Sequence, residues 1–141
     1  MSNATALFPT TAQTTIRTLG ETFVRSLRMR QPEVLLPFLA EGVIWSLPGV
    51  SRISGEAIGP AAVVERARII GSVGMQLELD HLLVGLHGVA LSLHNTASYE
   101  GKTFDMHLVT VLTIYHGTIV CMDTFMQDVP AVNEFFSTDA D

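Results

Sequence analysis

Between Thr11 and Arg30 the apolar positions Ile16, Leu19, Phe23, Val24 and Leu27 recur every three or four residues. That spacing puts one hydrocarbon stripe on an amphipathic helix. Pro32 stops it, and Pro32 to Leu39 reads as a short second helix that Pro37 shortens or kinks, because its ring cannot continue the backbone ladder. Val43 to Leu47 follows as a strand closed by Pro48-Gly49, and Ser51 to Gly59 reads as loop. Pro60 then stands at the first turn of a third helix that ends at Gly71. Beyond Gly71 the period changes from helical to alternating. Met75 to Val84, Val89 to Glu100, Thr103 to Tyr115 and Ile119 to Gln127 read as strands separated by glycine-containing turns. Helices first and hairpins afterwards predict an α+β domain over residues 11–136, with loose ends at 1–10 and 137–141.

Alternation along the strands assigns side chains to faces. In Val89 to Glu100 the odd positions Val89, Leu91, Leu93, Asn95, Ala97 and Tyr99 form the inner face, and the even ones, His94 among them, the outer. A two-residue turn at Gly101-Lys102 would pair Ala97 with Met106, Asn95 with Leu108 and Leu93 with Thr110, leaving Asp105 and His107 outside. A three-residue turn around His116-Gly117 would place Met122, Thr124 and Met126 inside and Cys121, Asp123 and Phe125 outside. A two-residue turn would reverse this and bring Asp123 beside Thr110.

At 141 residues the chain supports one core, and 48% hydrophobic against 16% charged residues suits a large interior or an apolar interface. A net charge of -6 with scattered lysines and arginines argues against nucleic acid. A single cysteine, Cys121, excludes an internal disulfide. No apolar run approaches the roughly 18 residues a bilayer requires, so no membrane role is expected and the cytoplasm is the expected compartment.

Two ionisable groups stand out. His81 alternates with Leu77, Leu79 and Leu83 on an apolar face, where burial could tune it for acid-base work or a backbone partner could simply satisfy it. Asp123 becomes a proton carrier if it faces the interior and a surface carboxylate if it does not. His94, Asp105 and His107, with Asp123 as a further member, form a candidate polar cluster that reads as a solvated or subunit-facing patch in preference to a metal site. Asn95, Tyr99, Thr110 and Thr124 would orient a carbonyl or hydroxyl in an otherwise apolar pocket walled by Trp45, Met75, Met106, Leu108, Met122 and Met126. Val109, Val111, Cys121 and Phe125 make the outer face unusually apolar, which suggests a homodimer through it.

The run Trp45-Ser46-Leu47-Pro48-Gly49, the Ser54-Gly55 loop before the third helix and Gly117-Thr118-Ile119 leading into the last strand give the chain its likeness. It resembles the nuclear-transport-factor-2-like superfamily, and within it the SnoaL-like and ketosteroid-isomerase-like branch. The resemblance implies a cone-shaped, curved antiparallel sheet covered by three N-terminal helices, a cystatin-like roll. It also implies functions ranging from isomerases and cyclases to simple binding subunits. Enzymes of this kind carry an acid or base on the inner face of the last strand and often a partner on the strand before it. Threonines, Thr124 and Thr110, occupy these places here, and Leu91 and Leu93 stand where the epoxide-hydrolase branch would have carboxylates. Two functions therefore stay open. One is a cofactor-independent isomerase or cyclase acting on a hydrophobic carbonyl compound, with Asp123 and His81 as proton carriers. The other is a non-catalytic hydrophobic-ligand-binding or dimeric interaction module.

Overall fold

The computed structural model describes residues 10–137. The ends expected to be loose lie outside these residues, except for Ser137 and for Thr10, whose side chain caps the first helix in a reciprocal box with Gln13. Helix α1 spans Thr11–Arg28, and its stripe from Ile16 to Leu27 is buried. A 3₁₀ helix, Pro32–Phe38, contains Pro37. Strands β1 (Leu39–Leu47) and β2 (Gly55–Ile58) precede helix α2 (Pro60–Ser72). Strands β3 (Gln76–Val84), β4 (Gly88–Tyr99), β5 (Lys102–Tyr115) and β6 (Thr118–Met126) complete one sheet of order β2-β1-β6-β5-β4-β3, antiparallel except where β1 runs parallel to β6. Helix α1 packs on β3 and β4 and α2 on β1. At Gly20 an added Cβ would sit 3.1 Å from Val89 Cγ1, so this glycine sets how closely α1 approaches β4. Among the described residues no helix is long and apolar enough to cross a membrane.

Two elements differ from the sequence reading. The segment expected as loop between Ser51 and Gly59 contains β2, which pairs Gly55–Ile58 with Ile44–Leu47. This edge strand buries only Ala57, so alternation had no second inward residue to show itself. A further helix, α3 (Val129–Phe135), follows the sheet, with Asp128 accepting a hydrogen bond from the Ala131 N–H as its cap. Phe135 and Phe136 pack on Phe104 at ring distances of 5.0 and 5.9 Å, so the helical cover is not only N-terminal.

The hairpin registers also differ, in an instructive way. Between β4 and β5 the two-residue turn is Glu100-Gly101, both at positive φ, and not Gly101-Lys102. Asn95 therefore opposes Met106, Leu93 opposes Leu108 and Leu91 opposes Thr110. The slide amounts to two residues, so every side chain keeps its face. Between β5 and β6 the turn His116-Gly117 is the two-residue one of the two turns left open by the sequence, pairing Tyr115 with Thr118. A bulge then intervenes, because Ile114 pairs with Ile119 but Thr113 pairs with Cys121, leaving Val120 as the extra residue. The bulge undoes the reversal that a two-residue turn alone would cause: Met122 and Thr124 are buried and Asp123 is exposed.

Arg66 of α2 is a buried cation whose partners are all carbonyl oxygens. Its guanidinium donates to the Trp45, Ser54 and Gly55 carbonyls at 2.6, 3.2 and 3.0 Å and lies 5.4 Å from the Trp45 ring centre. Burial lowers its pKa from the ordinary value, but an arginine stays charged at any physiological pH. Replacing Arg66 by Met strands these carbonyls, and chemical denaturation is expected to show a loss of about 2 to 4 kcal/mol.

Candidate functional site

Helices and the inner sheet face enclose a cavity of about 30 Å³, room for about two water molecules. Its wall is mostly hydrocarbon, with Phe23, Ile70, Met75 and Phe136 joining sheet residues that include Phe104. Of the side chains singled out in the sequence, Trp45, Met75, Asn95, Leu108, Thr110, Thr124 and Met126 lie on this wall. Met106 and Met122 face the same way but are packed solidly outside the cavity. Tyr99, expected inside, pairs with Lys102 beside the β4–β5 turn and is 43% exposed.

The polar groups of the cavity are neutral. The Trp45 indole N–H donates to Thr124 Oγ1 at 2.9 Å, and Thr124 Oγ1 lies 2.9 Å from the hydroxyl of Thr110, its direct partner across the β5–β6 ladder. Asn95, on β4, is 8% exposed, and its Oδ1 has no hydrogen-bond partner.

Neither expected proton carrier reaches this space. Asp123 lies opposite Val111 on the outer face, exposed. His81 was expected to alternate inward with Leu77 and Leu79, but a bulge separates Leu79, paired with Leu93, from His81, paired with Ser92. Asp80 is the extra residue, and from there on Leu82 and Val84 pack on the core while His81 and Leu83 are exposed. Period-two counting cannot see the bulge, because leucines occupy both Leu82 and Leu83 and either could have pointed inward.

On the outer face His94 and His107 are direct cross-strand partners with rings stacked at 4.3 Å. His94 Nε2 is 2.6 Å from Asp105 Oδ1, its Nδ1 is 3.6 Å from Glu78 Oε1, and His107 Nδ1 is 4.0 Å from Asp80 Oδ2. Asp123 is not a member of this cluster, since it stands opposite Val111 and further along the ladder. Among the described residues no three His, Cys, Asp or Glu side chains are placed to hold a metal ion.

Comparison with solved structures settles the fold. Bal32a, from a soil-derived mobile gene cassette, superposes with a TM-score of 0.80 at 24% identity over 88% of this chain and 98% of that one. An NTF2-like protein from Burkholderia xenovorans LB400 gives a TM-score of 0.75 at 16% identity, over 89% and 98% of the two chains. The chain has the NTF2-like fold. A putative SnoaL-like polyketide cyclase from Jannaschia sp. CCS1 shares this fold at a TM-score of 0.72 and 14% identity, over 93% and 97%. No family model and no curated protein matches the chain. Within the NTF2-like framework, the wall positions on α1 and α2 were read in the sequence only as core, which apolar periodicity cannot tell from cavity lining. Arg66 had a legible signal, since it stands three residues after Val63 and four before Ile70, on the apolar stripe of α2.

The hydrogen bond to Asp105, with Glu78 adding its charge, raises the His94 pKa above the ordinary 6.5. A raised folded-state pKa contributes stability that is fully present below 6.5 and lost as pH climbs through the folded value. Asp105→Asn is therefore expected to lower the melting temperature more at about pH 6 than at about pH 9. An equal loss at both would show that the contact carries no charge.

Proposed function

We propose that this chain binds a small, mainly hydrocarbon molecule and performs no acid-base chemistry on it. One observation carries the reading: every side chain lining the inner cavity is apolar or neutral. General acid-base catalysis needs a titratable group within hydrogen-bond reach of the reacting atom. The isomerase or cyclase alternative relied on Asp123 and His81, and both occupy the opposite surface of the sheet. The positions where enzymes of this fold would hold an acid or base are Thr124 and Thr110, here tied to each other and to Trp45. A threonine hydroxyl orients a carbonyl or a hydroxyl, but it stays un-ionised at neutral pH and is a poor general acid or base.

A cavity of about 30 Å³ is small for an organic ligand, since such sites commonly measure about 300 Å³ or more. Binding therefore involves movement of the wall. Met75 and Met126 are suited to it, because an unbranched thioether changes rotamer at little cost, and Met126 is already partly exposed. A second copy of the chain is the partner proposed for the outer face, where Val109, Val111 and Cys121 are only half-covered and Phe125 is 57% exposed.

Screening neutral lipophilic ketones and alcohols should reveal a compound that raises the melting temperature by about 5 to 10 °C when present at a hundred times its Kd. The double variant His81→Ala with Asp123→Ala should show the same rise. Loss of turnover of a ketone substrate in that variant would restore the enzymatic reading. For the partner, light scattering at micromolar concentration should give twice the 15.3 kDa chain mass, and Phe125→Asp should return it to one. A single-chain mass for the parent protein would exclude the dimer.

A further inference from the structure

The hydrogen-bonding groups around the cavity do not satisfy one another, and what is left over describes the ligand. The chain of three holds three protons, one on the Trp45 indole and one on each of Thr110 and Thr124. The indole can only donate, so Thr124 Oγ1 accepts at that contact. The contact between the two hydroxyls consumes one of their two protons, whichever threonine supplies it. The other hydroxyl proton has no partner in these contacts. Asn95 has the opposite need, with a buried Oδ1 that no donor reaches. The cavity therefore combines a spare hydroxyl donor on the β5–β6 side with an unpartnered carbonyl oxygen on β4, where the Asn95 amide N–H groups likewise make no hydrogen bond, all set in hydrocarbon.

We infer that the ligand is neutral and bifunctional: a carbonyl or ether oxygen that accepts from the threonine pair, and a hydroxyl or N–H that donates to Asn95 Oδ1, on one compact apolar frame. The inference rests on the binding reading proposed above and narrows it. Charge is disfavoured because no side chain on the wall bears an opposite one, and an unpaired ion pays its full desolvation. Both polar functions are required because water can serve the same two groups. A ligand that displaces water without replacing its hydrogen bonds loses affinity. Wholly apolar molecules and those with a single polar group are thus selected against by the same walls that admit the bifunctional one. Asn95 also gains a role as specificity residue, independent of any part in stabilising the fold.

Four probes of nearly equal shape separate these contributions: 4-hydroxycyclohexanone, cyclohexanone, cyclohexanol and methylcyclohexane, titrated by NMR against the full chain and its Asn95→Leu variant. The hydroxyketone is expected to bind at least about tenfold more tightly than either single-function ring, and methylcyclohexane most weakly. In Asn95→Leu the hydroxyketone should lose its advantage over cyclohexanone, the two binding equally, with an unchanged circular dichroism spectrum and a cooperative melt showing the variant to be folded. Equal affinities across the four rings would overturn the bifunctional ligand and leave the binding function standing. A variant that keeps the full preference for the hydroxyketone would remove Asn95 from the site. Failure of all four to bind at about 10 mM would overturn the binding function itself, and this inference with it.

Discussion

A strand gives successive side chains to opposite faces of its sheet, so a single inserted residue reverses the facing of everything beyond it. In this protein that constraint governs the chemistry of the interior. The bulge at Val120 sends Asp123 outward and Thr124 inward, and the bulge at Asp80 sends His81 outward and Leu82 inward. With neither bulge, a carboxylate and an imidazole would have been carried toward the helices. With both, the inner face is hydrocarbon with three neutral polar side chains at the cavity.

The same neutrality extends to the one buried cation among the described residues. Arg66 is held by three backbone carbonyls, which spread partial negative charge around the guanidinium without placing a carboxylate in the core. It fixes the end of β1 and the start of β2, and it lies against Trp45. Trp45 in turn meets Phe23 edge-on at 5.8 Å and points its N–H at Thr124. Helix α2, the β1 hairpin, α1 and the last strand are thus joined through one indole. The cavity is the space left where these layers do not close completely.

Charge has been sorted to the other side. His94 and His107 stack on the outer face with Asp105, Glu78 and Asp80 around them, and the hydrogen bond from Asp105 outweighs the desolvation of the partly covered His94 ring. The NTF2-like fold accommodates this division because its sheet has one covered and one open surface. A polar cluster that cannot touch the cavity and a cavity that contains no ion separate recognition of an apolar molecule from whatever meets the open surface.

Much of the architecture was legible from the chain alone. The stripe of α1, proline at the first turn of α2 and the alternation in β4 and β5 are local patterns, and burial of hydrocarbon enforces them whatever the surroundings. The inner face of β4 survived even a misplaced hairpin turn, because a slide of two residues preserves parity. Edge strand β2 and helix α3 were not legible as elements, since one buries a single side chain and the other is only seven residues long. Facing at His81 was beyond the sequence for a different reason. A bulge costs one unpaired residue and is offset by the packing of Leu82 and Val84 against a core built from elements distant in the chain, so no local pattern records it. The residue types of the cavity were therefore written in the sequence, while tertiary packing alone decided which of them meet there and which hydrogen-bonding groups are left without a partner.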